Sequence, residues 1–309
     1  HRPTAAHAHA SRAAATPTAP SRPATLVYRA QYQLPAPIKD PAFAVVGAGR
    51  FALLGGLDSS EVSSATIELA DLKGVVRTAN LPLAQHDAQG AEIGGDVYVF
   101  GGGSSTELDH IVSFDPSRGV VQTVSALPHP QSDVAVATTG GTAYVVGGYD
   151  GTNWLNTILA WRPGSPVRVA GHLPVGLRYA AATAVGGHIL IMGGSTPTGA
   201  SDAVYRFDPA TGQVRQIGRL PQPTTHASAA TLGGFAYLVG GRGDNLGTQT
   251  STVWSIDPRT GAVQRAGKLP QPLSDTASLS INGAIVVAGG LAPTTTVADV
   301  GELVPQFAP

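Results

Sequence analysis

Residues 179–221 read YAAATAVGGHILIMGGSTPTGASDAVYRFDPATGQVRQIGRLP, from Tyr179 to Pro221, and hold four strand signals separated by turns. The first, Tyr179 to Val185, is made of small residues and ends at Gly186-Gly187, a pair that takes positive φ at little steric cost and so suits a hairpin. The second, Ile189 to Met192, is apolar throughout and closes on Gly193-Gly194. The third, Val204 to Phe207, leads into Asp208-Pro209-Ala210-Thr211-Gly212, where proline presets a turn and glycine takes the left-handed position. The fourth, Val214 to Ile217, runs on to Leu220-Pro221. Four short strands joined this tightly predict one small antiparallel sheet.

The unit repeats. Gly-Gly pairs stand at Gly55-Gly56, Gly101-Gly102, Gly147-Gly148, Gly193-Gly194, Gly240-Gly241 and Gly289-Gly290, at spacings of 46, 46, 46, 47 and 49 residues. Leu-Pro pairs keep the same beat at Leu34, Leu81, Leu127, Leu173, Leu220 and Leu269. The Asp-Pro-x-x-Gly turn recurs at Asp115 and Asp257. A four-stranded antiparallel unit every ~46 residues is the signature of a propeller blade. The expectation is an all-β chain forming a single six-bladed propeller with four antiparallel strands per blade.

A Gly-Gly pair closing the second strand, an aromatic-Asp-Pro turn after the third and a period near 46 together resemble the Kelch family, over essentially residues 25–309. Two blades depart from the pattern, with Ala70-Asp71-Leu72 and Arg162-Pro163-Gly164 in place of the Asp-Pro turn, and the tryptophan often found in Kelch fourth strands is missing. The copper-radical oxidases that resemble this fold need a cysteine crosslinked to tyrosine, so a cysteine-free chain excludes that chemistry. Beyond Gly289-Gly290 there is room for a third strand, Glu302 to Val304, but not a fourth, whereas Leu26 to Leu34 aligns with the fourth-strand segment Val214 to Leu220. The last blade is therefore expected to be completed by an N-terminal strand, which removes an exposed sheet edge.

Composition limits the function classes. The 309 residues are 42% apolar and 13% charged, with 39 glycines, 24 prolines and no cysteine. Nineteen bases against 20 acids argue against a nucleic-acid footprint, which needs clustered Lys and Arg. Apolar runs break well short of the ~20 residues a membrane helix needs, so no transmembrane segment is expected. Residues 1–24 lack acidic, aromatic and large aliphatic side chains and read as an Ala/Pro/Thr-rich linker ahead of the propeller at 25–309. A start at His1, with no cysteine anywhere, fits a secreted or otherwise extracytoplasmic protein whose signal peptide has been removed.

The loops that run from a fourth strand to the next first strand, and from second to third strand, share one face of a propeller, and loops are where function concentrates. Five residues past each Leu-Pro proline stand Asp40, Asp87, Asp133, Tyr179, His226 and Asp275, predicted to ring the mouth of the central channel. Converging carboxylates repel unless a cation neutralises them, which makes calcium the ion such a ring could hold. The other reading is that each Asp accepts backbone N–H bonds and ties neighbouring blades together. Tyr149, Asp150, Asn153 and Trp154, in one blade-three loop, lie near Arg178-Tyr179 in blade order, and Arg242 sits in the longer blade-five loop. Aromatic faces beside such hydrogen-bonding groups suit a carbohydrate, with rings to stack and polar groups to read hydroxyls. His86 and His110, with Asp87 or Asp109, are zinc-ligand residue types but have adjacent-residue spacing.

No hydrolase, metalloprotease or phosphate-loop motif is present. The expected function is non-catalytic binding of a glycan, cell-envelope or protein ligand on this face, with no resident cofactor. A sugar mutarotase or lyase of Kelch type, using His226 with Asp275 or Arg178 as acid and base, is the second reading. An architectural module of an envelope assembly is the third. Oligomeric state is not specified by these features.

Overall fold

A computed structural model describes residues 23–47 and 49–306. The stretch 1–22, the bulk of the expected linker, lies outside them. Among the described residues the chain forms six four-stranded antiparallel sheets, together with a two-stranded hairpin of Ser195–Thr196 and Gly199–Ala200. Among the described residues no helix is long and apolar enough to cross a membrane.

Blade four shows how sequence becomes sheet. Ala181–Val185, His188–Met192, Ala203–Asp208 and Gln213–Arg219 pair in that order, each with its successor. Ile189 and Ile191 pack toward blade three while Leu190 and Met192 pack toward blade five, and all four are at most 1% exposed. A strand buried on both faces has no use for polar alternation, which is why the second-strand signal is a continuous apolar run. The core accordingly divides into six clusters, each shared by two neighbouring blades. First strands line the channel, where the radius is smallest and side chains are mostly Ala, Ser and Thr.

Glycine is required where the second strand ends. Gly193 has φ +62°, and a Cβ there would lie 2.1 Å from the Thr224 carbonyl oxygen, so the next blade's entry loop can pass only over a bare backbone.

The ring closes as expected. Thr25–Gln33 pairs antiparallel with Asp299–Gln306, making the fourth strand of blade six alongside Ala284–Ala288 and Ala277–Ile281. Ala24, placed in the linker by composition, is already anchored: its N–H donates to the Tyr237 hydroxyl at 2.9 Å and its side chain packs on the core shared by blades five and six. Blade one departs from the pattern in its outer strand, Gly74–Gln85, which continues past Leu81-Pro82 to pair Gln85 with Ser64 across a break in register that leaves residues 81–84 without a ladder partner. Proline is tolerated because it falls in that break, on an outermost strand. The missing Asp-Pro turn of that blade is replaced by Asp71, whose carboxylate accepts the Lys73 N–H at 2.7 Å. Asp115, Asp208 and Asp257 make the same contact, two residues on, in their own turns.

Candidate functional site

The six residues predicted at the channel mouth occupy one repeated backbone state. Asp40, Asp87, Asp133, Tyr179, His226 and Asp275 have φ between +50° and +58°. The N–H of Asp40 donates to the Asp275 carbonyl, Asp275 to His226, His226 to Tyr179, Tyr179 to Asp133 and Asp133 to Asp87, at 2.9 to 3.2 Å. The tie between blades is thus made by backbone rather than by Asp side chains accepting N–H bonds. Aspartate recurs for a second reason, since it tolerates the left-handed region better than most residues. Histidine shares that tolerance, whereas tyrosine holds the same conformation at a cost of order 1–3 kcal/mol.

The residue before each ring position forms a bridge with the residue after a Gly-Gly pair: Lys39 with Leu57, His86 with Gly103, Ser132 with Tyr149, Arg178 with Ser195, Thr225 with Arg242 and Ser274 with Leu291. This second circle sets the charges of the mouth. Lys39 is buried and bonded through Nζ to Glu61 Oε1 at 2.6 Å, and Glu61 itself has φ +61°. Neither residue was singled out by sequence, although Lys39 occupies the same register as Arg178.

Blades three to five bring the polar and aromatic groups together. The Arg178 guanidinium ion-pairs with the buried Asp133 carboxylate and lies 4.0 Å from the Tyr149 ring centre and 5.3 Å from those of Trp154 and Tyr179. Tyr149 and Trp154 meet edge to face at 5.4 Å. Tyr179 stacks on His226 with centroids 3.7 Å apart, and its hydroxyl donates to Asp87 Oδ2 at 3.3 Å.

His226 is held in one protonation state. A guanidinium can only donate, so the 3.0 Å contact from Arg242 Nη2 makes His226 Nε2 an acceptor. The proton is left on Nδ1, facing Thr225 Oγ1 at 3.0 Å. Burial and the positive charge of Arg242 bring its pKa down to about 2. The Asp275 carboxylate is 3.9 Å from Nε2 and is bonded instead by the Ser274 hydroxyl. Arg242 has no carboxylate within 4.0 Å among the described residues, and its Nε is buried without a partner.

The carboxyls of the ring pair off rather than converge on one point. Burial, together with the charges of Asp275 and Asp87, holds Asp40 well above the usual carboxylate range. Burial, together with Asp133 and Asp275, does the same to Asp87, and burial also raises Asp275. Asp40 lies beside Asp275 and Asp87 beside Asp133, and burial together with these neighbouring carboxylates favours the uncharged form of Asp40 and of Asp87. Among the described residues no group of three or more His, Asp or Glu side chains is placed to hold a metal ion. His86 Nδ1 is bonded to Ser63 Oγ at 2.8 Å and His110 Nε2 to Gln85 Oε1 at 2.6 Å, two separate contacts that form no zinc site.

Two residues expected at the site turn away from it. Asp150 Oδ1 accepts the N–H groups of Thr152 and Asn153, at 2.9 and 2.7 Å, and the Asn153 amide donates to Oδ2 at 3.2 Å. This is a self-contained Asx turn on the rim. Below the mouth, the channel holds a cavity of 380 Å³ lined by the first strands.

The Kelch motif model matches residues 132–165, 176–221 and 223–270, spanning the blades that carry Tyr149, Arg178, His226 and Arg242. The solved structure of YjhT aligns with a TM-score of 0.72 at 18% identity, covering 87% of this chain and 95% of that one. At this identity the likeness concerns the fold alone. No curated protein sequence matches.

Proposed function

The chain is a Kelch-repeat, six-bladed β-propeller, and on that premise we propose that it is a non-catalytic binding module that takes a glycan at the mouth of its channel. One observation carries the reading. Tyr179 keeps a strained backbone where four sibling positions have the easier aspartate, and its ring, stacked on His226, joins two arginines in one continuous cluster. Tyr149 and Trp154 add aromatic faces, and Arg242 contributes a buried donor without a partner, which a ligand oxygen can take. A general acid or base works best with a pKa near the operating pH, so a His226 held near 2 supports binding over acid–base catalysis.

A glycan-array screen of the full chain, alongside Trp154→Ala and Arg242→Ala, tests this. The expected result is a discrete set of hits weakened at least tenfold in both variants, with the bound sugar recovered unchanged. A blank array, or hits indifferent to both variants, removes the glycan reading and leaves protein binding or architecture. A recovered sugar of altered anomeric or ring form turns the site into a catalytic one.

A further inference from the structure

Three of the crevices between neighbouring blades are covered on the outer wall by a turn. Arg77 of blade one donates to the Pro116 and Ser117 carbonyls in the blade-two turn, and Arg206 of blade four to the Pro258 carbonyl in the blade-five turn, each at 3.3 Å. Gly212 of the blade-four turn presses on blade three, where a Cβ on Gly171 would lie 2.8 Å from its carbonyl oxygen, and Gly261 presses on Gly218 in the same way at 2.4 Å. The seam between blades five and six keeps this contact without a turn. Gly212 and Gly261 stand eight residues before Leu220 and Leu269, and Leu26 stands eight before Leu34. A Cβ on Gly267 would accordingly lie 2.6 Å from the Leu26 carbonyl oxygen. The blade-four ladder stops where Asp208 pairs with Gln213, but at the seam the equivalent pair, Val304 with Val27, is followed by Pro305 with Leu26 and Gln306 with Thr25. Beside this overrunning ladder lies a groove of 540 Å³, walled on its other side by Arg265 to Pro270 of blade five. Leu26, Ala266 and Leu269 form its buried floor, and the more accessible Val27, Tyr28 and Pro270 complete an apolar lining. Arg265 and Lys268 border it, both exposed, and among the described residues neither has a carboxylate within 4.0 Å.

We propose that the seam groove binds a single-chain amphiphile with an anionic head, a long-chain carboxylate, its alkyl chain along Leu26, Tyr28 and Leu269 and its head between Arg265 and Lys268. The walls select this occupant. A groove of this size, mostly apolar with a few polar groups at one side, has the make-up of a small-molecule site. An alkyl chain gains from every methylene it withdraws from water, whereas a sugar would press its hydroxyls against Leu, Ala and Pro side chains that offer them no partner. Two cations without a carboxylate favour an anionic head over a neutral or cationic one. The apolar surface is a crevice between two strands rather than a protruding patch, which suits one chain and not a bilayer. The groove lies on the outer wall, apart from the channel mouth, so its ligand is independent of the glycan.

Sodium dodecanoate, kept below its micellar range, is the probe. Calorimetric titration of the full chain should show saturable binding at one site, with amide NMR shifts confined to Thr25–Tyr28 and Arg265–Leu269. Dodecyltrimethylammonium, which has the same alkyl chain and the opposite charge, should bind at least tenfold more weakly. Arg265→Glu together with Lys268→Glu, two exposed positions, should reverse that order while the circular dichroism spectrum stays that of the parent. Vesicles of an anionic phospholipid should not carry the chain with them on flotation. No saturable binding of dodecanoate, shifts that fall at the channel mouth instead, equal affinity for the two head groups on the parent chain, or flotation with the vesicles overturns the proposal.

Discussion

Tyr179 and His226 are the residues at which the ring of aspartates breaks its own pattern. Every ring position adopts φ near +55° and five of the six pass their N–H to the preceding blade, a requirement the sequence shows by placing aspartate at four of these positions, at a fixed distance from Leu-Pro. Counting from those prolines located all six positions. Their partners were not legible, because Arg242 reaches His226 from the residue after a Gly-Gly pair and Tyr179 meets Asp87 across 92 residues. The histidine supplies a residue-scale prediction. With Nε2 accepting from Arg242 and a pKa near 2, its ring resonances should stay flat in an NMR titration from pH 4 to 8, reporting the Nδ1–H tautomer throughout. A midpoint near 6.5 would show that the Arg242 contact does not hold in solution.

At the scale of the strand, legibility followed burial. Second strands, covered on both faces, appear as short apolar runs, and first strands as small-residue runs because they crowd the axis. Outer strands were harder to bound, since one edge and much of their surface meet water and little selects their length. Blade one shows this, its outer strand continuing through Leu81-Pro82 where a boundary was expected. The closing strand is held by a tighter constraint. A Cβ on Gly301 would sit 2.2 Å from the Tyr28 hydroxyl oxygen, on the strand that pairs with Thr25–Gln33. Gly301→Ala should therefore lower the free energy of unfolding by ~1–3 kcal/mol, as overpacking commonly does. Adding Tyr28→Ala should recover part of that loss in a denaturant melt. No recovery would mean that the clash is not what Gly301 avoids.

For the molecule as a whole, two sets of carboxyls pull stability in opposite directions with pH. Asp40, Asp87 and Asp275 have raised pKa values in the folded state, chiefly through burial. Their contribution is complete below the unfolded value near ~3.9 and is lost as pH rises through the folded values. In Asp115, Asp150 and Asp208 the pKa is lowered, chiefly by hydrogen bonds within their turns, and in Asp257 chiefly by Arg259 against the opposing effect of burial. Their contribution is present above ~3.9 and lost as pH falls. Because these turn groups are only half-buried whereas the ring carboxyls are deeply buried, the mouth should dominate, placing maximal stability on the acid side of neutrality. Asp40→Asn removes one ionisable group while keeping a side chain that tolerates positive φ. It should flatten the fall in melting temperature between pH 5 and 9 and leave the variant more stable than the parent at pH 8. An unchanged slope would assign the pH dependence to groups outside the ring.

The joining of Thr25–Gln33 to Asp299–Gln306 also has a temporal side. On the ribosome, the strand made first must wait for the strand made last, so five sheets can assemble while the sixth stands incomplete. Until residue 306 has emerged, the nascent chain is an open arc with a bare sheet edge at its seam. Emergence of Asp299–Gln306, rather than the completion of any earlier blade, is then the event that makes the propeller whole, and truncation within that strand leaves a product open to proteolysis at the seam.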